Sequence, residues 1–411
     1  MTIDQGSSSA EARELEESGA LLTRSILENY ERSTQVACRG MVRALEHSGV
    51  LDARRAVQEG VQSSVRQFAT AALLCLEADP EYPMLVKLIS RGREAGGPNP
   101  DCNYQWASLH GDHTYRIFGN RGSARLFDIQ VHSASPADMK NFKTITSLDG
   151  MGYDIPADEE VEIVLSREKQ DGYWLELPEG PATILSRQVY SDWDRENPAR
   201  LMIERVGASY SPPPVSPEIF AERVQMMNDF MRSQVEIVQH VSANYFKGGV
   251  NSLEHVPVPS EAGFSAYEYL WGNYVCRPDE AIIVEYEMPR SRYGAINLHN
   301  LAGDGAQSHL RHVSINGDQG SANGDGVFRV VISHEDPGVK NWLDTRGRDF
   351  GLLMAKFYKP DTVPVARMQV VPGDRLRDFL PDDTDFVTQE ERREIMRQRL
   401  ISVHRRLMTD Y

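Results

Sequence analysis

The sequence predicts a mainly β protein with helical additions (α+β). Two tandem, related antiparallel units of β-sandwich or jelly-roll-like form are expected, with an N-terminal helical region, a long connecting helix and a C-terminal helix. Three observations carry this reading. From Asn103 onward, helical spacing of apolar residues gives way to alternation. Turn residues then recur at roughly ten-residue intervals, as between short strands. The second β region also repeats residues of the first at an offset of about 167 positions.

The elements follow in order. Residues 1–100 read as helical: Ser8-Ser9-Ala10-Glu11 fits a capping box, after which Leu15, Leu22, Ile26 and Tyr30 recur at turn-like spacing. Val61, Val65, Phe68, Ala72 and Leu76 mark the buried face of a further helix, and Pro83 is placed to open another. Gly96-Gly97-Pro98-Asn99-Pro100 ends the region. Residues 101–210 form the first β unit, with strands at 114–118, 127–131, 161–165 and 201–206. In the linker at 211–250, Ser211-Pro212-Pro213-Pro214 is stiff. Ser216 then caps a helix striped by Phe220, Val224, Met227, Met231, Val235 and Val238. The second β unit, 251–375, has strands at 281–286, 295–298, 328–332 and 351–358. Residues 376–411 hold a charged helix capped by Thr388 with Glu391.

The duplication is read from matched residues of unlike type. Val161–Ser166 aligns with Phe328–Ser333, Trp174-Leu175 with Trp342-Leu343, Gly180 with Gly347, Tyr190 with Tyr358, and Trp106 with Trp271. Duplicated β units place a ligand site most naturally where loops from both converge.

Composition narrows the function. The chain has 411 residues, 40% apolar and 25% charged, and a net charge of −16. Such a charge repels phosphate backbones and anionic lipid, so neither nucleic acid nor membrane is an expected partner. The acidic segment Met1–Ala20 lacks the apolar run of a leader or a span, and a cytoplasmic location is expected. Cys38, Cys75, Cys102 and Cys276 form no Cys-x-x-Cys pair and read as inert thiols. Phosphate loops, dinucleotide fingerprints and nucleophile elbows are missing from the sequence.

The stretch Val330-Val331-Ile332-Ser333-His334-Glu335-Asp336-Pro337-Gly338-Val339-Lys340-Asn341-Trp342-Leu343-Asp344-Thr345-Arg346-Gly347 resembles the signature of domain-of-unknown-function family 1214. Trp271-Gly272-Asn273-Tyr274, Arg292-Tyr293, Asn297-Leu298-His299-Asn300 and Ser314-Ile315-Asn316 also resemble it. In the first unit, Gly111–Arg116 and Tyr190–Asp194 are similar to the partner region of such proteins. The resemblance spans roughly residues 100–371 and implies no established activity.

Candidate chemistry lies in several places. On a predicted strand Tyr293, Asn297 and His299 share one face, and His312 and Asn316 share another. If the two strands are neighbours these form one patch, either a solvated surface or a pocket lining in which His299 or His312 acts as a general base. Arg292, Tyr115 and Trp193 join the candidate ligand-binding set from the matched segments. Asp192 and Asp194 flank Trp193 and, with Asp344, offer the carboxylates of a glycoside hydrolase. His110, Asp112 and His113 offer metal donors in a turn, weighed against an ordinary capped turn; no metal or other cofactor is expected. The basic face of the last helix, Arg392, Arg393, Arg397, Arg399, Arg405 and Arg406, reads as an interaction helix docking on a second subunit. The leading expectation is a small, partly apolar ligand bound between the β units. A carbohydrate-active enzyme and a noncatalytic assembly module that forms homo-oligomers through its helices stand as alternatives.

Overall fold

The computed structural model describes residues 5–48, 53–90, 93, 97–138, 142–257, 266–300, 302–305 and 309–407. Gly96 and the side chains of Ser8, Val235 and Val238 lie outside the described residues. Among those described, 18 strands form four sheets.

In the first unit, β1 (Val86–Lys87), β2 (Cys102–His110), β8 (Pro181–Val189), β4 (Leu126–Ser133) and β5 (Lys143–Ser147) make a five-stranded sheet in the order β1-β2-β8-β4-β5. Facing it are β7 (Tyr173–Glu176), β6 (Glu160–Ser166), β3 (Tyr115–Asn120) and β9 (Arg200–Arg205), in that order. The second unit has β10 (Ser252–Val256), β11 (Tyr267–Val275), β12 (Glu280–Glu287), β13 (Gly294–His299), β14 (Ser314–Asn316), β15 (Val327–Ser333), β16 (Trp342–Asp344), β17 (Phe350–Tyr358) and β18 (Arg367–Pro372). Its sheets run β10-β11-β17-β13-β14 and β16-β15-β12-β18. Every strand of the first unit has its counterpart nine strands later, so the duplication is realised strand for strand. Pairing is antiparallel apart from one parallel pair per unit, β6 with β7 and β15 with β16.

Each unit is a sandwich because alternate side chains of both its sheets meet in one core. In the first, Leu109, Ile129, Val131 and Ile184 meet Ile117, Ile163, Leu165 and Leu175; in the second, Leu270, Ile296 and Leu353 meet Ile282, Val284 and Val330. Each fully buried side chain of this size stabilises by about 1.5–3 kcal/mol. The repeated tryptophans do the same work in both units. Trp174 Nε1 donates to Ser166 Oγ at 3.0 Å, and Trp342 Nε1 to Ser333 Oγ at 2.9 Å. Tyr190 is displaced from its expected counterpart by one residue, for Val189 faces Cys102 as Tyr358 faces Tyr267.

Helices cover part of the outer face of each five-stranded sheet. Trp106 and Leu185 of the first unit pack against Leu74 and Cys75 and against Met227, Phe230 and Met231 of α3 (Pro217–Tyr245). Tyr245, at the end of α3, packs on Leu352 and Met354 of the second unit. Ser216 caps α3 as expected, accepting from Ile219 N at 3.3 Å, but Phe220 is exposed.

The N-terminal region differs from its reading in three ways. α1 (Gln5–Ser48) already runs through Ser8, so the capping box there is not its start. Pro83 opens no helix: the chain after it pairs as β1 with Trp106 and Gln105, since the free edge of β2 satisfies more backbone groups than a lone helical turn. In α2 (Ala53–Ala71), which continues as a π-helical turn over Ala72–Leu76, Phe68, Ala72 and Leu76 pack inward as read, but Val61 and Val65 are exposed with Val57, and Ser63, Ser64, Gln67 and Thr70 are buried instead. Ion pairs and hydrogen bonds hold this stretch, with Arg66 on Asp304 at 3.1 Å and Ser63 Oγ donating to Asp304 Oδ1 at 3.4 Å.

α4 (Gln389–Leu407) begins at the expected capping box. Thr388 N donates to Glu391 Oε2 at 2.7 Å, and Glu391 N to Thr388 Oγ1 at 3.2 Å. Its basic face docks on its own chain. Arg392, Arg399 and Arg406, seven residues apart, are buried; Arg392 lies 5.3 Å over Trp342, and Arg399 and Arg406 lie 4.3 and 4.0 Å over Trp193. These three arginines are therefore not free for a second subunit. No helix among the described residues is long and apolar enough to cross a membrane.

Candidate ligand site at the junction of the two units

Strand alternation sends one set of side chains into each sandwich and the other out of it. Because Ala107 and Leu109 of β2 face the first core, Cys102, Tyr104 and Trp106 face outward. Arg187 of β8 stands opposite Tyr104 and opposite Asp128 of β4, and Gln130 and His132 follow on the same face of β4. The second unit repeats this set. Tyr269 of β11 stands opposite Lys356 of β17, Trp271 opposite Met354, and Asn297 and His299 continue along β13. Tyr104 thus corresponds to Tyr269, Arg187 to Lys356, Gln130 to Asn297, and His132 to His299. The two faces meet, since Cys102, Leu126 and Val189 cluster with Tyr267, Tyr269, Tyr293, Ala295 and Tyr358.

Burial dominates the electrostatics here. It pushes the Cys102 thiol and the Tyr269 phenol up to about 12, with Arg187 pulling each down in part. The Lys356 ammonium is lowered to about 8 by burial, opposed by Asp101 and Cys102. His299 falls to about 3 through burial and the Lys356 charge. Asp128 rises to about 6, chiefly through burial, and its Oδ2 has no hydrogen-bond partner.

One carboxylate ties the junction to α4. Asp101, fully buried, accepts from Trp193 Nε1 at 2.8 Å and from the Tyr293 hydroxyl at 2.6 Å. Asn99 Nδ2 donates to the same tyrosine oxygen at 2.9 Å. Asp101 also supports the charges of Lys356, Arg399 and Arg406. Sequence reasoning passed over this residue because it follows a Gly/Pro-rich segment read only as punctuation.

The structure separates the predicted patch. β13 and β14 are neighbours, with Asn297 opposite Ser314 and Ala295 opposite Asn316. All five patch side chains are buried, so no solvated face forms. Tyr293 joins Asp101, Asn316 Nδ2 donates to Ser191 O at 3.1 Å, and His299 Nε2 lies 2.8 Å from the Asn297 amide and 3.1 Å from Pro98 O. His312 turns elsewhere: it bonds the Trp342 carbonyl and stacks on that ring at 6.2 Å. Burial, with Arg399 and Arg392, lowers it to about 3. Burial thus favours the neutral form of both imidazoles.

The remaining candidates scatter. Tyr115 belongs to the first core, its hydroxyl bridging Pro80 O and His110 N. Arg292 lines a small cleft with Arg121, Asp128, Asp149, Tyr153 and Tyr358. Asp192 Oδ1 caps its own turn, accepting from Asp194 N and Arg195 N, and Asp194 anchors Ser402 of α4 at 2.8 Å. Asp344 is held by Arg311 at 3.2 Å and by Arg346 N at 2.7 Å. Glycoside hydrolysis needs two carboxyls facing one bond, and these three serve separate hydrogen-bond sets. The metal donors do not converge either. His113 turns to Glu81 at 2.5 Å, while His110 Nδ1 accepts from Asp112 N at 3.3 Å.

Comparison with known proteins shows where this architecture recurs. An uncharacterized protein from Burkholderia cenocepacia has a similar structure, with a TM-score of 0.78 at 23% identity, covering 87% of this chain and 99% of that one. The VPA0106 protein from Vibrio parahaemolyticus aligns over 75% of this chain and 98% of its own, at 8% identity and a TM-score of 0.43. No curated protein sequence matches the chain. Residues 285–362, within the second β unit, match the family described as "Protein of unknown function (DUF1214)".

Proposed function

We propose that the protein binds a small, partly apolar molecule in the junction between its two β units. The observation that carries this is the duplicated set of tyrosine, cation, amide and histidine on the outer faces of both five-stranded sheets, which meet at that junction around Cys102 and Tyr269. A purely structural interface would fill such a face with apolar side chains, because each buried polar group left without a partner costs about 1–3 kcal/mol. Here Cys102, Tyr104, Arg187 and Tyr269 each keep part of their surface open, although burial is deep enough to drive two of them up to about 12. Aromatic walls with a few polar groups are the usual lining of a small-molecule site.

Calorimetric titration of the full chain with benzyl alcohol and with benzoate tests the reading. At least one is expected to bind saturably, and Cys102→Phe, which fills space beside Tyr269, is expected to weaken it at least tenfold. Tyr104→Trp serves the same purpose if Cys102→Phe melts early. Saturable binding of neither compound, or equal binding by the filled variants, would overturn the proposal.

A further inference from the structure

We infer that the ligand of this junction is an anion, a small carboxylate on an apolar or aromatic body, received by Lys356. The inference rests on the pocket reading above and adds the charge of what enters.

Lys356 is 3% exposed, and its side chain is in no ion pair among the described residues. An ammonium drawn into the interior with no carboxylate paired to it is costly to hold. The carboxylate that acts on it most strongly is Asp101, but both oxygens of Asp101 are taken, one by Trp193 Nε1 and the other by the Tyr293 hydroxyl. Asp101 also faces Arg399 and Arg406, so one buried carboxylate serves three buried cations. Lys356 is thus left with a shared carboxylate and no ion pair of its own among the described residues.

The duplication points the same way. At the position of Lys356 the first unit has Arg187, also opposite a tyrosine of the neighbouring strand. Lysine and arginine differ in shape and hydrogen-bonding geometry. What the two copies share is a cation beside an aromatic ring. A carboxylate carried on a ring or short chain would meet the cation with its charge and the tyrosines with its body. The nearby Trp271 Nε1 and Asn297 Oδ1 also have no hydrogen-bond partner, leaving one donor and one acceptor for polar groups of the same molecule.

Benzoate, benzyl alcohol and benzylamine, titrated separately into the full chain, differ little in body and fully in charge. Benzoate is expected to bind at least tenfold tighter than benzyl alcohol, and benzylamine more weakly than both. Lys356→Met is expected to remove the benzoate advantage over benzyl alcohol, and Lys356→Arg to keep it. Without any ligand, Lys356→Met is expected to melt above the parent protein, because it removes the unpaired charge and keeps the volume. Equal binding of benzoate and benzyl alcohol would overturn the anion inference and leave the pocket standing; binding of none would overturn both. A lower melting temperature for unliganded Lys356→Met would show that the chain balances the charge itself, and would also overturn the inference.

Discussion

Asp101→Asn is expected to lower the unfolding free energy by about 3–5 kcal/mol, the range seen when one partner of a buried charge set is removed. The substitution keeps shape and most hydrogen-bonding capacity. Trp193 Nε1 at 2.8 Å can still donate to the amide oxygen, and the hydrogen bond from the Tyr293 hydroxyl at 2.6 Å is the one at risk. What disappears is the negative charge that supports Lys356, Arg399 and Arg406, all of them buried. Urea unfolding of the full chain, followed by tryptophan fluorescence, measures the loss directly. Trp193→Phe, which removes one hydrogen bond and leaves the charge, should cost less, about 1–3 kcal/mol. Adding Lys356→Met to Asp101→Asn should restore part of the stability, since the two sites share one electrostatic set and contacting sites couple by about 0.5–3 kcal/mol. A loss below about 1 kcal/mol for Asp101→Asn, or strict additivity in the double variant, would mean that the cations are balanced without Asp101.

The same residue shows where sequence reading reaches its limit. Half-buried strands such as β3 and β6 alternate and are legible, because one face meets the core and the other does not. The central strand β8 is buried on both faces yet carries Thr183, Ser186 and Gln188, so neither alternation nor an apolar run marks it. Short edge strands such as β1 and β16 owe their existence to a partner and have little signal of their own. In the site, Tyr293 and Trp193 stand out as residues, but the carboxylate that joins them is separated from them by 192 and 92 positions. The repeat held more than the matched tryptophans. It places His132 against His299 and Gln130 against Asn297, a correspondence open to reading from the offset alone. Arg187 and Lys356 are harder to pair, because insertions between β4 and β8 shift the offset by two.

His132 supplies the second large effect, through pH. It is fully buried, neither ring nitrogen has a hydrogen-bond partner, and the ring stacks on Phe142 at a centroid distance of 4.0 Å. Burial, helped by the Arg187 charge, lowers it from 6.5 to about 3. The folded state thus holds it neutral, while the unfolded chain takes up a proton below pH 6.5. Stability from the neutral form is complete above that pH and is lost as pH falls from 6.5 toward 3. Asp128 and Asp304, both raised to about 6 by burial, act in the opposite sense and lose stability as pH rises from 3.8 to 6, so the acid limb of the whole protein does not isolate the histidine. The difference between His132→Phe and the parent does. At pH 7 the phenyl ring should stabilise by about 1–3 kcal/mol, since it replaces two unsatisfied nitrogens and keeps the stack. Between pH 7 and pH 5 that advantage should widen by about 2 kcal/mol, because at pH 5 the unfolded imidazole is almost wholly protonated and the folded one is not. Urea unfolding of both proteins at the two pH values gives the number, and an advantage that stays constant would show that His132 gains a proton, or a partner, in the folded state well above pH 3.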